Sequence, residues 1–473
     1  SGTSMAAPMV SGAIALLSEA FPNHTPEQLV DRILASANND FFTATGTTSF
    51  ANGITHGYNS EFGHGIVDLE AALKPIITSS MIPPSGAKTE LTGNIDTAQR
   101  FALASTSLNL SPAFGDSLKR ALTGKTAYFY DGLNGGFAFD FGSLVRTGTK
   151  RKKIKYPVDY IRHDPQVKTA KSSLGFTMMS SPPSAPEAQD AGFLMLADTI
   201  GFAGQNISIQ NALSFSENDA TATRPIDNEN AFAIPFVSAS EHGQFAGIKT
   251  GFLGGNVSLG YFDGKSDQHQ LSTSGFIASY KADVGSSEIS AFSGTTIENG
   301  GLLEASVEGA FAEKSVANTK FSGLSAHGRL FGNWFYNAMG TFGRTDLDIE
   351  GASLLDNVKD IYSTAFAVEI HRPIGLLRND KVHLGVSQPV HVESGTATIH
   401  VPQLYEAGGN LKFKKSEFNL KPSGRQVDFG IGYTASLYDE LSFGLQATLT
   451  QDPGHIKSES LDYSVTSALK LEF

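Results

Sequence analysis

From about residue 190 to the end, apolar side chains recur at every second position. Val427, Phe429, Ile431, Tyr433, Ala435 and Leu437 alternate with Asp428, Gly430, Gly432, Thr434 and Ser436. Leu441, Phe443, Leu445, Ala447 and Leu449 follow against Ser442, Gly444, Gln446 and Thr448, and Tyr463 to Phe473 repeats the pattern. Tyr362 to Ile370 and Leu303 to Phe311 read the same way. A period of two is the signature of a strand with one apolar and one polar face. These runs span about nine to eleven residues, longer than ordinary globular strands and enough for a tilted strand to cross a bilayer. Composition agrees. Charged residues are 17%, while Gly reaches 49 and Phe 33, a balance suited to strands and turns. No run of 18 or more apolar residues exists, so any membrane contact falls to strands or to the surface. A membrane barrel needs lipid-facing apolar residues and a polar interior. A soluble β-sandwich shows the same alternation, and both readings stay open at this level.

The opening is of another kind. Ser1-Gly2-Thr3-Ser4-Met5-Ala6-Ala7-Pro8 leads into Met9, Val10, Ala13, Leu16, Leu17 and Ala20, an apolar stripe at helical spacing. Small residues at Gly2, Ala6, Ala7, Ser11, Gly12 and Ala13 allow close backbone approach. Ser4 sits where the helix begins, beside unpaired N–H groups and the positive end of the helix dipole. Such groups stabilise an oxyanion formed by attack on a carbonyl. Alone, a Ser at a helix start is most simply a cap. Thr25-Pro26-Glu27-Gln28 marks a second helix start, with Leu29, Val30, Ile33 and Leu34 as its apolar face.

The string Gly2-Thr3-Ser4-Met5-Ala6-Ala7-Pro8 with its small-residue helix resembles the nucleophile segment of subtilisin-like serine proteases. Phe62-Gly63-His64-Gly65-Ile66-Val67-Asp68, continuing to Leu73, resembles the Gly-x-Gly strand and final helix that close that catalytic domain. The resemblance covers about residues 1–75. It implies that Ser4 is the nucleophile of a Ser-His-Asp triad and that its own N–H contributes to the oxyanion hole. In this family the triad runs Asp, His, Ser along the chain, which places Asp, His and the oxyanion Asn before residue 1. His24, His56 and His64 all follow Ser4; His24 reads as a solvated loop residue and His64 as a turn or packing residue. Without a base the hydroxyl is a poor nucleophile. The chain is therefore expected to be the inactive C-terminal part of an endopeptidase acting on protein or peptide substrates. It opens inside a motif, without initiator Met or signal peptide, and is expected to derive from a longer precursor.

The C-terminal pattern, ending on Phe473, resembles the assembly signal of bacterial outer-membrane barrels. A subtilase segment followed by such a region resembles an autotransporter serine protease. That resemblance implies a C-terminal barrel of about twelve strands, a helix threading its pore, outer-membrane lipid and the barrel-assembly machinery as partners, and the cell surface of a Gram-negative bacterium as location. The expected fold is mixed. Residues 1–75 form the remnant of an α/β subtilisin-like domain (two helices and a short strand), 76–190 an irregular β-rich connection, and 191–473 an antiparallel up-and-down barrel. Within the connection, residues 112–123 read as a short helix, and Phe137, Phe139 and Phe141 as a strand after a turn at Asp131-Gly132. The basic run Thr149–Lys155 reads as a solvated loop, and Ser181–Glu187 as a stiff linker.

Thirty-five Lys and Arg against 47 Asp and Glu give a net charge of −12, which argues against nucleic acid as a partner. Absence of Cys excludes disulfides, thiolate metal sites and Cys nucleophiles. No metal-ligating spacing stands out, Gln388–Glu393 included, where Pro389 suggests an edge, a bulge or a loop. No cofactor or metal is expected from the residues; calcium enters only through the family resemblance. Two other functional readings remain: a secreted soluble subtilase with β-sandwich binding domains, and a non-enzymatic outer-membrane barrel.

Overall fold

The computed structural model describes residues 2–84, 99–147, 170–171, 177–178, 199–207, 234–237, 242–265, 271–404, 410–438, 441–458 and 460–471. The basic run at 149–155, the linker at 181–187, the segment just before the barrel and the terminal Phe473 lie outside them.

The front of the chain holds α1 (Thr3–Ala20), α2 (Pro26–Ala35), the hairpin β1 (Gly46–Ser49) and β2 (Thr55–Tyr58), and α3 (Leu69–Ala72). Helix α2 starts on a reciprocal cap: Gln28 N–H donates to Thr25 Oγ1, and Thr25 N–H to Gln28 Oε1. Ala13, Leu17, Phe21, Leu29, Ile33 and Ala72 form one small core. The Gly-x-Gly segment is a turn closed by single bridges, Asn59 to Gly63 and Asn38 to Ile66. Gly65 has a φ of +113°, and a Cβ there would stand 2.1 Å from the Asn38 carbonyl oxygen, so the position requires glycine.

Next come β3 (Ser80–Met81), β4 (Phe101–Ala102), β5 (Ser107–Asn109), α4 (Ser117–Leu122), β6 (Thr126–Tyr130), β7 (Gly136–Asp140) and β8 (Val145–Arg146). Strands β4-β3-β6-β7 make one sheet. β9 (Ala170–Lys171) and β10 (Thr177–Met178) pair with each other.

The remainder is one large antiparallel sheet. In chain order its strands are β11 (Thr199–Ile207), β12 (His242–Phe252), β13 (Gly255–Lys265), β14 (Ser272–Val284) and β15 (Ser287–Asn299). After β16 (Gly301–Leu302) and β17 (Ala305–Glu308) come β18 (Lys314–Phe331), β19 (Trp334–Glu350), β20 (Leu355–Pro373) and β21 (Arg378–Pro402). β22 (Phe413–Asn419), β23 (Val427–Tyr438), β24 (Leu441–Gln451) and β25 (Asp462–Leu471) complete it. Twelve of these strands follow one another up and down in sequence order, and β22 pairs with the distal half of β21. The fold is thus a small α/β front followed by a twelve-strand antiparallel meander.

Leu303–Phe311 departs from the expected strand. Leu303 and Glu304 have positive φ and turn the chain between β16 and β17. Strand β17 leaves the large sheet to pair with β5, and β16-β17-β5-β8 form a four-stranded sheet of their own. Periodicity read the strand character of β17 but not its partner.

The two ends of the meander differ. At one end, pairs of residues such as Leu253-Gly254 and Gly285-Ser286 link the strands, with positive φ at Leu253, Gly254 and Gly285. At the other end the connections are longer, as at 300–313 and 403–426. The segment 101–146 packs on this long-loop end. Phe114, Leu118, Tyr130 and Phe141 share a core with Phe311, Leu355, Val358 and Ile399. Tyr130 Oη donates to the Gln403 carbonyl at 2.9 Å, and Ser423 N–H donates to Asp116 at 2.9 Å.

The two faces differ as well. The inner face carries buried Phe262, Phe292 and Phe321, with Phe321 lying over Gly294 and Phe292 over Gly323. The outer face exposes Phe276 (61%), Leu324 (63%), Phe342, Phe366, Val368, Leu384, Ile431 (52%) and Leu449. Farther toward the long loops the same face of β19 turns to Arg344, Asp346, Asp348 and Glu350, all exposed. Pro389 sits inside β21 beside a register shift against β20, the bulge that a strand proline requires.

Candidate functional site

Ser4 occupies the first turn of α1 and is exposed. Gly2 caps the helix in an extended conformation without a side-chain cap bond, and Met5 N–H donates to its carbonyl at 2.9 Å. Ser4 is therefore not the cap residue itself. It belongs to the first turn, where the N–H groups of Thr3 and Ser4 have no carbonyl of the helix to reach. Pro8 lies inside the helix, where it removes a further donor. Only one stripe of α1, at Ala13 and Leu17, is buried, and Met5, Met9 (75%), Val10 and Leu16 remain exposed.

Among the described residues no histidine hydrogen-bonds to Ser4. His56 contacts the Ala37 carbonyl through Nε2 at 2.9 Å and His64 through Nδ1 at 3.2 Å. His64 Nε2 lies 3.4 Å from Thr48 Oγ1. Both rings thus tie the β1–β2 hairpin to the Gly63–Gly65 turn. Burial and the neighbouring His56 lower the His64 pKa. His24 is lowered to about 4, first by burial and then by the charge of Arg32. Both rings favour the neutral form and serve packing. Among the described residues, the first turn of α1 thus presents an exposed hydroxyl at a helix N-terminus with no histidine bonded to it.

A feature that sequence reasoning missed joins this front to the rest of the chain. Arg32, on α2, is fully buried. Its Nη2 meets Asp131 Oδ2 at 2.6 Å, and both side chains are 0% exposed. Arg32 Nη1 donates to the Ala72 carbonyl at 2.9 Å and that of Lys74 at 3.3 Å. The guanidinium lies 4.2 Å over the Phe21 ring. Asp131 accepts three backbone N–H groups as well, from Ile76 (2.8 Å), Leu133 (3.0 Å) and Gly135 (2.8 Å). Gly135 leaves the room that the guanidinium occupies, since a Cβ there would meet Nη2 at 2.1 Å. This buried pair, in which both terminal guanidinium nitrogens and both carboxylate oxygens are hydrogen-bonded, clamps the Ser4-bearing front onto the turn after β6. The turn at Asp131-Gly132 is legible in sequence; its charge partner 99 residues upstream is not.

One group of candidate metal ligands does not stand out as a spacing in the sequence. The hairpin register of β20 and β21 sets His371 directly opposite His383. Glu369, two residues before His371, shares their face, and the three side chains together could hold a metal ion. The local signal was Glu-x-His on a strand. The third residue came only with the register.

Comparison with known proteins adds one finding: the model of the subtilase family of peptidases matches residues 1–65. No match to a curated protein was found. The front of the chain is thus a subtilase-like segment of the serine-protease type, and the match stops short of the β-rich remainder.

Proposed function

We propose that this chain is the C-terminal part of a surface-exported serine endopeptidase, anchored by a membrane β-barrel. Ser4 is its nucleophile, and the Ser4 N–H belongs to the oxyanion hole. The Asp and His come from a segment that packs on the exposed Met5, Met9 and Leu16 face of α1. The substrates are proteins or peptides. The anchor is the twelve-strand meander closed on itself, which leaves no unpaired edge in lipid.

The observation that carries the reading is the exposed apolar outer face of a continuous antiparallel sheet, joined through the Arg32–Asp131 clamp to a subtilase-like front. A soluble sandwich hides its apolar face between two sheets; here that face points outward. The outer face also has the dimensions of a bilayer. Trp334, with Arg372 at 5.9 Å, marks one border, and Tyr362, with Arg344 at 5.8 Å, the other. Positions 334 and 344 are about 33 Å apart along the strand, or about 25 Å along the axis at a tilt near 40°, the height of a barrel's apolar band. Short turns at one end and long loops at the other suit the periplasmic and outer sides.

The test joins the two halves. With the upstream Asp and His segment present, a fluorophosphonate probe should label the protein, and Ser4→Ala should abolish labelling. The chain as given should stay unlabelled. In detergent the 190–473 region should migrate differently when heated and resist protease. Solubility of that region without detergent would end the anchor reading, and labelling of Ser4→Ala would end the nucleophile assignment.

A further inference from the structure

We propose that Glu369, His371 and His383 bind a zinc-like divalent transition-metal cation on the inner face of the sheet, tying β20 to β21 near their connecting turn. The reasons are geometric. Glu369 Oε1 lies 3.6 Å from His371 Nδ1 and 3.6 Å from His383 Nδ1. That is too long for a hydrogen bond. It is close to the spacing of about 3.3–3.4 Å between ligand atoms that each sit about 2.0–2.1 Å from one tetrahedral zinc ion.

The four atoms around this point are buried and unpartnered: both Glu369 oxygens and the Nδ1 atoms of the two histidines. Glu369 is 2% exposed and His383 2%. Buried polar atoms that converge without hydrogen bonds call for an occupant. A cation satisfies both Nδ1 atoms and one Glu369 oxygen at once, three acceptors that a water with two protons cannot all serve.

The surroundings orient the ligands. His383 Nε2 lies 3.3 Å from Thr434 Oγ1. With the proton on Nε2, the Nδ1 lone pair faces Glu369, as an outer partner of a metal-bound histidine arranges. His371 stacks on Phe335 at 5.4 Å and 13°. Its side chain keeps 15% exposure, enough for access from solvent. Two imidazoles and a carboxylate suit zinc, and a water can take the fourth position. A second His and Glu group in β21 differs: Glu393 is already held by Arg425 at 2.6 Å and by Thr364 at 2.7 Å.

The experiment uses the full chain folded in detergent and stripped with a chelator. Cobalt(II) is the probe, and its visible spectrum reports four-coordinate binding with histidine ligands. We expect one equivalent to bind and zinc to displace it. Glu369→Gln and His383→Gln should each weaken binding at least 100-fold, and Thr434→Val about 10-fold to 100-fold. X-ray absorption of the zinc-loaded unmodified chain should count two imidazoles and one carboxylate, a readout that does not depend on the variants folding. No four-coordinate cobalt spectrum, undiminished binding in both Gln variants, or a different ligand count would each overturn the assignment.

Discussion

Truncating Asp131 to Ala tests whether the front of the chain is clamped or merely tethered. The substitution leaves the Arg32 guanidinium in a site with no solvent access, keeping the Ala72 and Lys74 carbonyls and the Phe21 and Phe137 rings. Breaking one side of a buried pair costs about 3–5 kcal/mol. The N–H groups of Ile76, Leu133 and Gly135 lose their acceptor too. Each buried orphan costs about 1–3 kcal/mol, less wherever water enters. The sum is of the order of a whole domain's stability, about 5–15 kcal/mol. The packing of α2 on the turn after β6 should therefore be lost, while the meander stays folded. Hydrogen exchange over residues 21–35 and limited proteolysis near residue 76 read this directly. Arg32→Met should cost less, because Asp131 keeps its three backbone donors. Combining Arg32→Met with Asp131→Ala should recover the part due to the stranded charge and leave the part due to the orphaned N–H groups. Wild-type protection of α2 in Asp131→Ala would refute the clamp.

Three further outcomes follow from single observations. Gly65→Ala combines a strained φ, worth about 1–3 kcal/mol, with the clash against Asn38, and should lower the unfolding midpoint of the front, as read by denaturant titration with tryptic digestion of residues 2–75. Ile431→Arg and Leu324→Arg should each destabilise the sheet in lipid vesicles by about 2–4 kcal/mol if their positions face the bilayer midplane; an unchanged urea midpoint in vesicles would contradict the anchor. His24, with its pKa held at about 4, binds fewer protons folded than unfolded between pH 6.5 and 4. Its contribution is present above pH 6.5 and is lost as pH falls through that window. Cleavage within residues 21–35 should rise over the same range, and His24→Gln should flatten the rise.

Several elements were legible because their determinants are local. The period of two along Val427–Leu437 is imposed by one strand with two different faces, and β23 covers it. Thr25 to Gln28 announced α2 because a cap involves only neighbouring backbone. The Ser4 string stood out because its helix start and small residues lie together in sequence. Leu303–Phe311 misled for the complementary reason. Its alternation was real, but its partner β5 lies about 200 residues upstream, and pairing decides which sheet a strand joins.

The sequence by itself determined a helical front with a hydroxyl at its start, and an up-and-down sequence of long two-faced strands. Tertiary structure alone decided which way those faces point, that Arg32 meets Asp131, and that Glu369, His371 and His383 converge. Periodicity specifies that two faces differ, whereas burial and charge pairing depend on which distant segments share a volume. That choice is made by the packing of the whole chain and leaves no trace in any short window of residues.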